Sequence, residues 1–211
     1  VRMPADEVFR NKLRRKEAFA LNTPNKLTLL RICLVPIFVL FLLWTNFPYH
    51  FIWALLIFIA ASVTDAIDGH LARKHHLITD FGKFLDPLAD KILVVSALVC
   101  FVEMGLCSAV VVVIVIAREF LVSALRLVAV GDGNVIAASI WGKLKTISQM
   151  IAVIYILAYC VAGTFATSSW DFAMTIGKWI AEILLWGSTV LTIISGADYL
   201  WKNRSCINSA K

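Results

Sequence analysis

The chain has 211 residues, of which 60% are hydrophobic and only 16% charged, with a mean hydropathy of +0.83. These values describe a single-domain integral membrane protein and exclude an ordinary soluble globule. The formal charge of +6 is modest, there is no internal repeat or low-complexity linker, and no nucleic-acid partner is implied, so the placement of charge is the informative part.

In chain order, residues 1–21 interleave Arg10, Lys12, Arg14, Arg15 and Lys16 with Val8, Phe9, Leu13, Ala18 and Phe19. They have no apolar core of a signal peptide. They read as a basic amphipathic helix on anionic headgroups, or equally as a solvated tail. The membrane domain, 22–204, opens on Asn22-Thr23-Pro24-Asn25, a helix-start signal. A first span follows over about 26–44, with Arg31 one turn inside it, where it could snorkel to the interface or meet a phosphate. After the break at 45–50, a second segment runs from Phe51 to Thr64. Its roughly 14 apolar residues are too few to cross the hydrocarbon core alone, so the helix must carry the following Asp65 inward.

A polar connection at 74–80 contains His75 and His76, which read as solvated rather than as metal ligands. The third span covers about 81–104, and Pro87 could bend its first turn. The fourth covers 108–130 and holds Arg118, Glu119 and Arg126. The two arginines are eight positions apart, about 80° around a helix, and could line one cavity. Either could instead pair structurally with Glu119. Past the turn Gly131-Asp132-Gly133-Asn134, Gly142-Lys143-x-Lys145-Thr146 opens a fifth span, apolar through Val161. A sixth covers about 176–199, with Glu182 near its start and Lys202 and Arg204 beyond its end, before a tail at 205–211.

Acidity is concentrated between the second and third spans. Five of the fourteen Asp and Glu residues fall within 65–91. Asp65 and Asp68 are spaced i, i+3; Gly82, Asp86 and Asp90 follow at i, i+4, i+8, so each set projects from one face of its helix. Four carboxylates converging near a bilayer require neutralisation. Two divalent cations would balance them, and an all-carboxylate donor set favours Mg²⁺ or Mn²⁺ over Zn²⁺. Such a pair suits phosphoryl transfer.

The motif Asp65-x-x-Asp68-Gly69-x-x-Ala72-Arg73, eight residues, then Gly82-x-x-x-Asp86-x-x-x-Asp90 resembles the complete signature of the CDP-alcohol phosphatidyltransferase family. The resemblance implies an all-α membrane fold of six transmembrane helices and an enzyme using two Mg²⁺ or Mn²⁺ ions. Asp65, Asp68 and Asp86 would hold the ions, with Asp90 as a further ligand or as the general base. Gly69 and Ala72, being small, would let a nucleotide lie against the helix, and Arg73 would meet a phosphate oxygen. Asp65 and Gly82 join this CDP site, and Asn25, Thr28 and Arg31, which match the family's first-helix pattern, would face the CDP moiety there. Arg118-Glu119, Arg126 and the Gly142-Lys143-x-Lys145-Thr146 run resemble the branch that makes phosphatidylglycerol phosphate. That similarity implies CDP-diacylglycerol and sn-glycerol 3-phosphate as substrates, with Arg118, Arg126, Lys143 and Lys145 anchoring the acceptor's phosphate. It also implies a homodimer surrounded by membrane lipid.

Lys and Arg outside the spans occur in the N-terminal tail, the 73–83 connection, the turn into the fifth span and the C-terminal tail, whereas the loops at 45–50, 103–108 and 163–172 have none. The positive-inside rule then puts both termini and the aspartates on the cytoplasmic face of a bacterial inner membrane. Cys33, Cys100, Cys107, Cys160 and Cys206 are scattered and read as thiols rather than disulfides. Two alternatives remain at this level: another acceptor alcohol, such as inositol phosphate or phosphatidylglycerol, and an ion or proton transporter built on intramembrane Asp and Arg.

Overall fold

The computed structural model describes residues 23–75, 80–131 and 139–204, with side chains described at 29–64, 91–126 and 139–204 apart from Ser168. The N-terminal basic segment, His76, the Asp132–Asn134 part of the expected turn and Cys206 lie outside these ranges. Six α-helices occupy the described residues: α1 Thr23–Leu43, α2 His50–His75, α3 Asp80–Glu103, α4 Ala109–Gly131, α5 Ile140–Phe165 and α6 Asp171–Lys202. A 3-10 turn, Ser168–Trp170, precedes α6. The expected loop at 163–172 is therefore shorter than its polar composition implied. Helix α6 begins at Asp171, whose carboxylate in the first turn complements the helix dipole. Helix α5 likewise starts before Gly142, capped by Ser139, whose side chain accepts from the Gly142 N–H at 3.1 Å.

Two compact units divide the chain. The first takes the described residues within 23–38 and 57–93. Its described core joins Val35 and Phe38 of α1 to Phe58 and Ala61 of α2, with the two phenylalanine rings 5.7 Å apart. Arg31 lies in this core at 2% exposure, so its guanidinium does not snorkel.

The second unit takes the described residues within 39–56 and 94–204. At one end, the α1–α2 turn packs Phe41 against Phe47 and Trp53, and His50 Nδ1 lies 3.2 Å from the Phe41 carbonyl. Tyr49, at φ 57°, stacks on Phe165 with ring centroids 5.9 Å apart. The α3–α4 turn closes through Leu106 and Cys107 N–H groups donating to the Phe101 carbonyl, with Gly105 at φ 68°. Helix α6 packs against both α4 and α5. The α5–α6 approach is close: a Cβ on Gly177 would sit 2.8 Å from the Tyr159 ring, and Tyr155 donates a 3.3 Å hydrogen bond to the Gly177 carbonyl.

The second unit's polarity is inverted relative to a soluble fold. Its outward positions include Val113, Phe120, Ile140, Ile183 and Trp201, with Phe120 71% and Ile140 82% exposed. Its buried positions include Lys145, Gln149, Ser188, Thr192 and Ser195. Such an apolar exterior around a polar seam belongs in lipid. Helices α5 and α6 are each long and apolar enough to cross a bilayer, while Leu29–Leu43 and His50–Thr64 are shorter apolar stretches within the described residues. Trp44, Tyr49, Trp53 and Trp170 are exposed where these helices turn, as aromatic residues are at a membrane interface.

Candidate active site

Each expected carboxylate pair sits on continuous helix. Asp65 and Asp68 lie on α2, which runs unbroken to His75, and Asp86 and Asp90 lie on α3. Gly69, Ala72 and Arg73 share α2, Gly82 shares α3, and Asn25 and Thr28 belong to the first two turns of α1. The side chains of all these residues fall outside those described. Among the described residues, no group of three His, Cys, Asp or Glu gathers elsewhere.

The described polar cluster is in the second unit, where α4, α5 and α6 meet. Glu119 is its hub. One carboxylate oxygen accepts from Arg118 Nη1 at 3.0 Å and also from the Lys145 ammonium, whose side chain is only 5% exposed. Arg118 Nη2 donates to Ser195 Oγ on α6 at 2.6 Å. Small residues make room for this guanidinium: Gly142 on α5 faces Nη2, and a Cβ on Gly196 would lie 3.2 Å from Arg118 Cγ. Burying two cations is tolerable because Glu119 and Ser195 replace the water they lose. The trio still carries a net charge of +1.

Arg126, two turns further along α4, is held differently. Its Nε donates to Tyr199 Oη at 3.2 Å, and its guanidinium carbon lies 5.7 Å from the Tyr199 ring centroid. Among the described residues those contacts leave the guanidinium's terminal nitrogens available, a fork suited to a phosphate or carboxylate. Lys143 is exposed at the start of α5.

The structural pairing open from sequence is thus realised for Arg118 with Glu119, whereas Arg126 takes Tyr199 as its described partner. Sequence reasoning missed Ser195 and Tyr199. Neither carries a motif, and only the register of α6 against α4 brings them to the arginines. Gln149, buried one turn after Lys145, was not singled out from sequence either.

Glu182, which had no role in the sequence reading, lines a separate groove of about 510 Å³ with Tyr159, Met174, Thr175, Lys178 and Trp179. Tyr159 lies fourteen residues along α5 from Lys145, about 21 Å, so this groove is remote from the ionic cluster.

Lipid-facing helices around buried cations define a helical membrane protein equipped to handle an anionic substrate. The sequence pattern of the CDP-alcohol phosphatidyltransferase family matches residues 21–194, and the chain belongs to that family. It is 41% identical over 200 residues to the Bacillus subtilis (strain 168) protein named CDP-diacylglycerol–glycerol-3-phosphate 3-phosphatidyltransferase, covering 90% of this chain and 98% of the relative. Proteins of the same name from Haemophilus influenzae and Rickettsia bellii are 40% and 37% identical. These alignments cover 85% and 84% of this chain and 91% and 93% of those proteins.

Proposed function

We propose that this chain transfers the phosphatidyl group of CDP-diacylglycerol to sn-glycerol 3-phosphate, giving phosphatidylglycerol phosphate and CMP. The observation that carries the choice of acceptor is the cationic seam of α4 and α5, where the charges of Arg118, Lys145 and Glu119 sum to +1 among the described side chains and Arg126 adds a forked donor. A phosphate monoester dianion is the ligand this charge suits.

The donor set at the other site is all carboxylate, and its i, i+3 and i, i+4 spacings fall on helix in α2 and α3, which fits a pair of Mg²⁺ or Mn²⁺ ions. Asp65, Asp68 and Asp86 would hold them, and when bound they would neutralise the CDP pyrophosphate as charge shifts onto the leaving group. The acceptor's 1-hydroxyl attacks the β-phosphorus, the bond to the CMP oxygen breaks, and CMP leaves with that electron pair. Asp90 takes the hydroxyl proton. Gly69, Ala72, Arg73 and Gly82 bind the CDP moiety, with Asn25, Thr28 and Arg31 contributing from α1. Arg126 and Lys143 make direct phosphate contacts, while Arg118 and Lys145, already tied to Glu119, set the local potential.

All six helices are proposed to span the cytoplasmic membrane of a bacterium, with both termini and the aspartates inside, as the distribution of Lys and Arg supports. A homodimer is the proposed working state. The test is a CMP-release assay on purified protein with CDP-diacylglycerol, Mg²⁺ and a panel of alcohols: sn-glycerol 3-phosphate, inositol phosphate, phosphatidylglycerol and serine. Release that depends on sn-glycerol 3-phosphate supports the reading. Release with another alcohol alone overturns the acceptor, and no release with any overturns the activity.

A further inference from the structure

Gln149 is a buried amide whose nitrogen is unpaired among the described residues. It lies on α5 one turn after Lys145 and on the same helix face as Gly142 and Lys145, the residues that meet Arg118 and Glu119. It is 4% exposed, yet its side-chain nitrogen has no hydrogen-bond partner among the described residues. Arg118 Nε, in the neighbouring cluster, is a second buried donor without one. Leaving an amide unpaired in an apolar helix bundle is costly, and the native state keeps such a group only where something else satisfies it.

The register says what surrounds it. Gly142 lies opposite Ser195 and Tyr159 opposite Gly177, so α5 and α6 run antiparallel and Gln149 falls level with Ser188 and Thr189. Those hydroxyls donate back to the Leu185 carbonyl of their own helix. Gln149 therefore lies deeper in the seam than the cations, the next polar position beyond a phosphate-binding layer. The unpaired amide nitrogen requires an acceptor, and an alcohol hydroxyl oxygen supplies one.

We infer that Gln149 binds the C2 hydroxyl of a three-carbon phosphorylated alcohol whose phosphate sits on the cationic layer. This inference rests on the proposed acceptor and names the group that selects it. With the phosphate held at one end and the C2 hydroxyl tied to the amide, the C1 hydroxyl is the one left to react. A ligand hydroxyl that accepts from the amide nitrogen also satisfies a buried donor left unpaired among the described residues.

The test compares sn-glycerol 3-phosphate with 3-hydroxypropyl phosphate, which lacks only the C2 hydroxyl, in CMP release by the full-length protein in detergent. The wild type should favour sn-glycerol 3-phosphate in kcat/KM by about tenfold, the worth of one neutral hydrogen bond with its partner left unpaired. In Gln149→Met, which keeps length and apolar packing, that preference should fall to about one. A merely structural role would lower both rates and leave the ratio unchanged, which would overturn the inference. So would a wild type that uses the two acceptors equally, a result that needs no variant to fold. Absence of CMP release by the wild type with either compound would instead remove the acceptor reading on which the inference stands.

Discussion

Arg118 Nη2 donates a 2.6 Å hydrogen bond to Ser195 Oγ, tying α4 to α6 across 77 positions of sequence. The same guanidinium uses Nη1 on Glu119, so its orientation is fixed by two helices. Ser195→Ala removes one anchor of a charged donor and should destabilise the protein by about 1.5–3 kcal/mol. It should also raise KM for sn-glycerol 3-phosphate several-fold without changing KM for CDP-diacylglycerol. Thermal unfolding in detergent and two-substrate kinetics measure both effects, and an unchanged unfolding midpoint would remove the anchoring role.

Glu119 carries the opposite charge for both Arg118 and Lys145. Glu119→Gln preserves shape but leaves two largely buried cations without that counter-charge, which should cost about 3 kcal/mol or more. Pairing it with Lys145→Met removes one of the stranded charges and should recover part of the loss. If the double variant is as unstable as the sum of the singles, the Glu119–Lys145 ion pair is not the source of the effect.

Metal dependence is tested at Asp68. Asn keeps the side chain's volume but loses the charge that would hold a divalent ion. Asp68→Asn should abolish CMP release while the protein remains folded and extractable, and excess Mg²⁺ should not restore it. Near-normal turnover in this variant would exclude Asp68 from the metal site.

Cys107 offers a pH-dependent readout in the α3–α4 turn. Burial pushes its thiol up from the ordinary 9.0 to about 11. Only the thiolate reacts with a maleimide, so labelling of a variant retaining Cys107 alone should rise about tenfold per pH unit from 7 and continue to climb past 9. At neutral pH the rate should be about a hundredfold below that of an unperturbed thiol. A plateau near pH 9 would show that Cys107 is solvated.

Much of the fold was legible because lipid imposes a crude rule: long apolar runs become helices, and the breaks at 45–50 and 104–108 are turns. The spacing of Asp65, Asp68, Asp86 and Asp90 could likewise be read directly, since helical periodicity alone decides which positions share a face. The partners within the cationic seam were not legible. Whether Glu119 would bind Arg118, Arg126 or Lys145 depends on the rotation of α4 against α5 and α6, which local sequence does not encode. Tyr199 and Ser195 sit in a helix rich in hydroxyls, and nothing in that run marks them apart from Ser188, Thr189 or Thr192. The start of α6 was misplaced for a related reason: the polar run at 167–171 reads as a loop, but Asp171 also suits a helix N-terminus.

Arg126 tests the acceptor site most directly, because its two possible roles separate in kinetics. If its terminal nitrogens meet the phosphate, Arg126→Ala removes a charge-assisted contact worth roughly 1.5–3 kcal/mol, and KM for sn-glycerol 3-phosphate should rise about tenfold to a hundredfold. KM for CDP-diacylglycerol should hardly move. Tyr199→Phe is the informative companion. It deletes the hydroxyl that receives Arg126 Nε but keeps the ring against which the guanidinium rests, so it should give a smaller rise in the same direction. Were Arg126 instead a structural strut between α4 and α6, both variants would lower the yield of folded protein and affect the two substrates alike. Kinetics normalised to folded protein distinguish these outcomes, and equal effects on both substrates would move Arg126 out of the acceptor site.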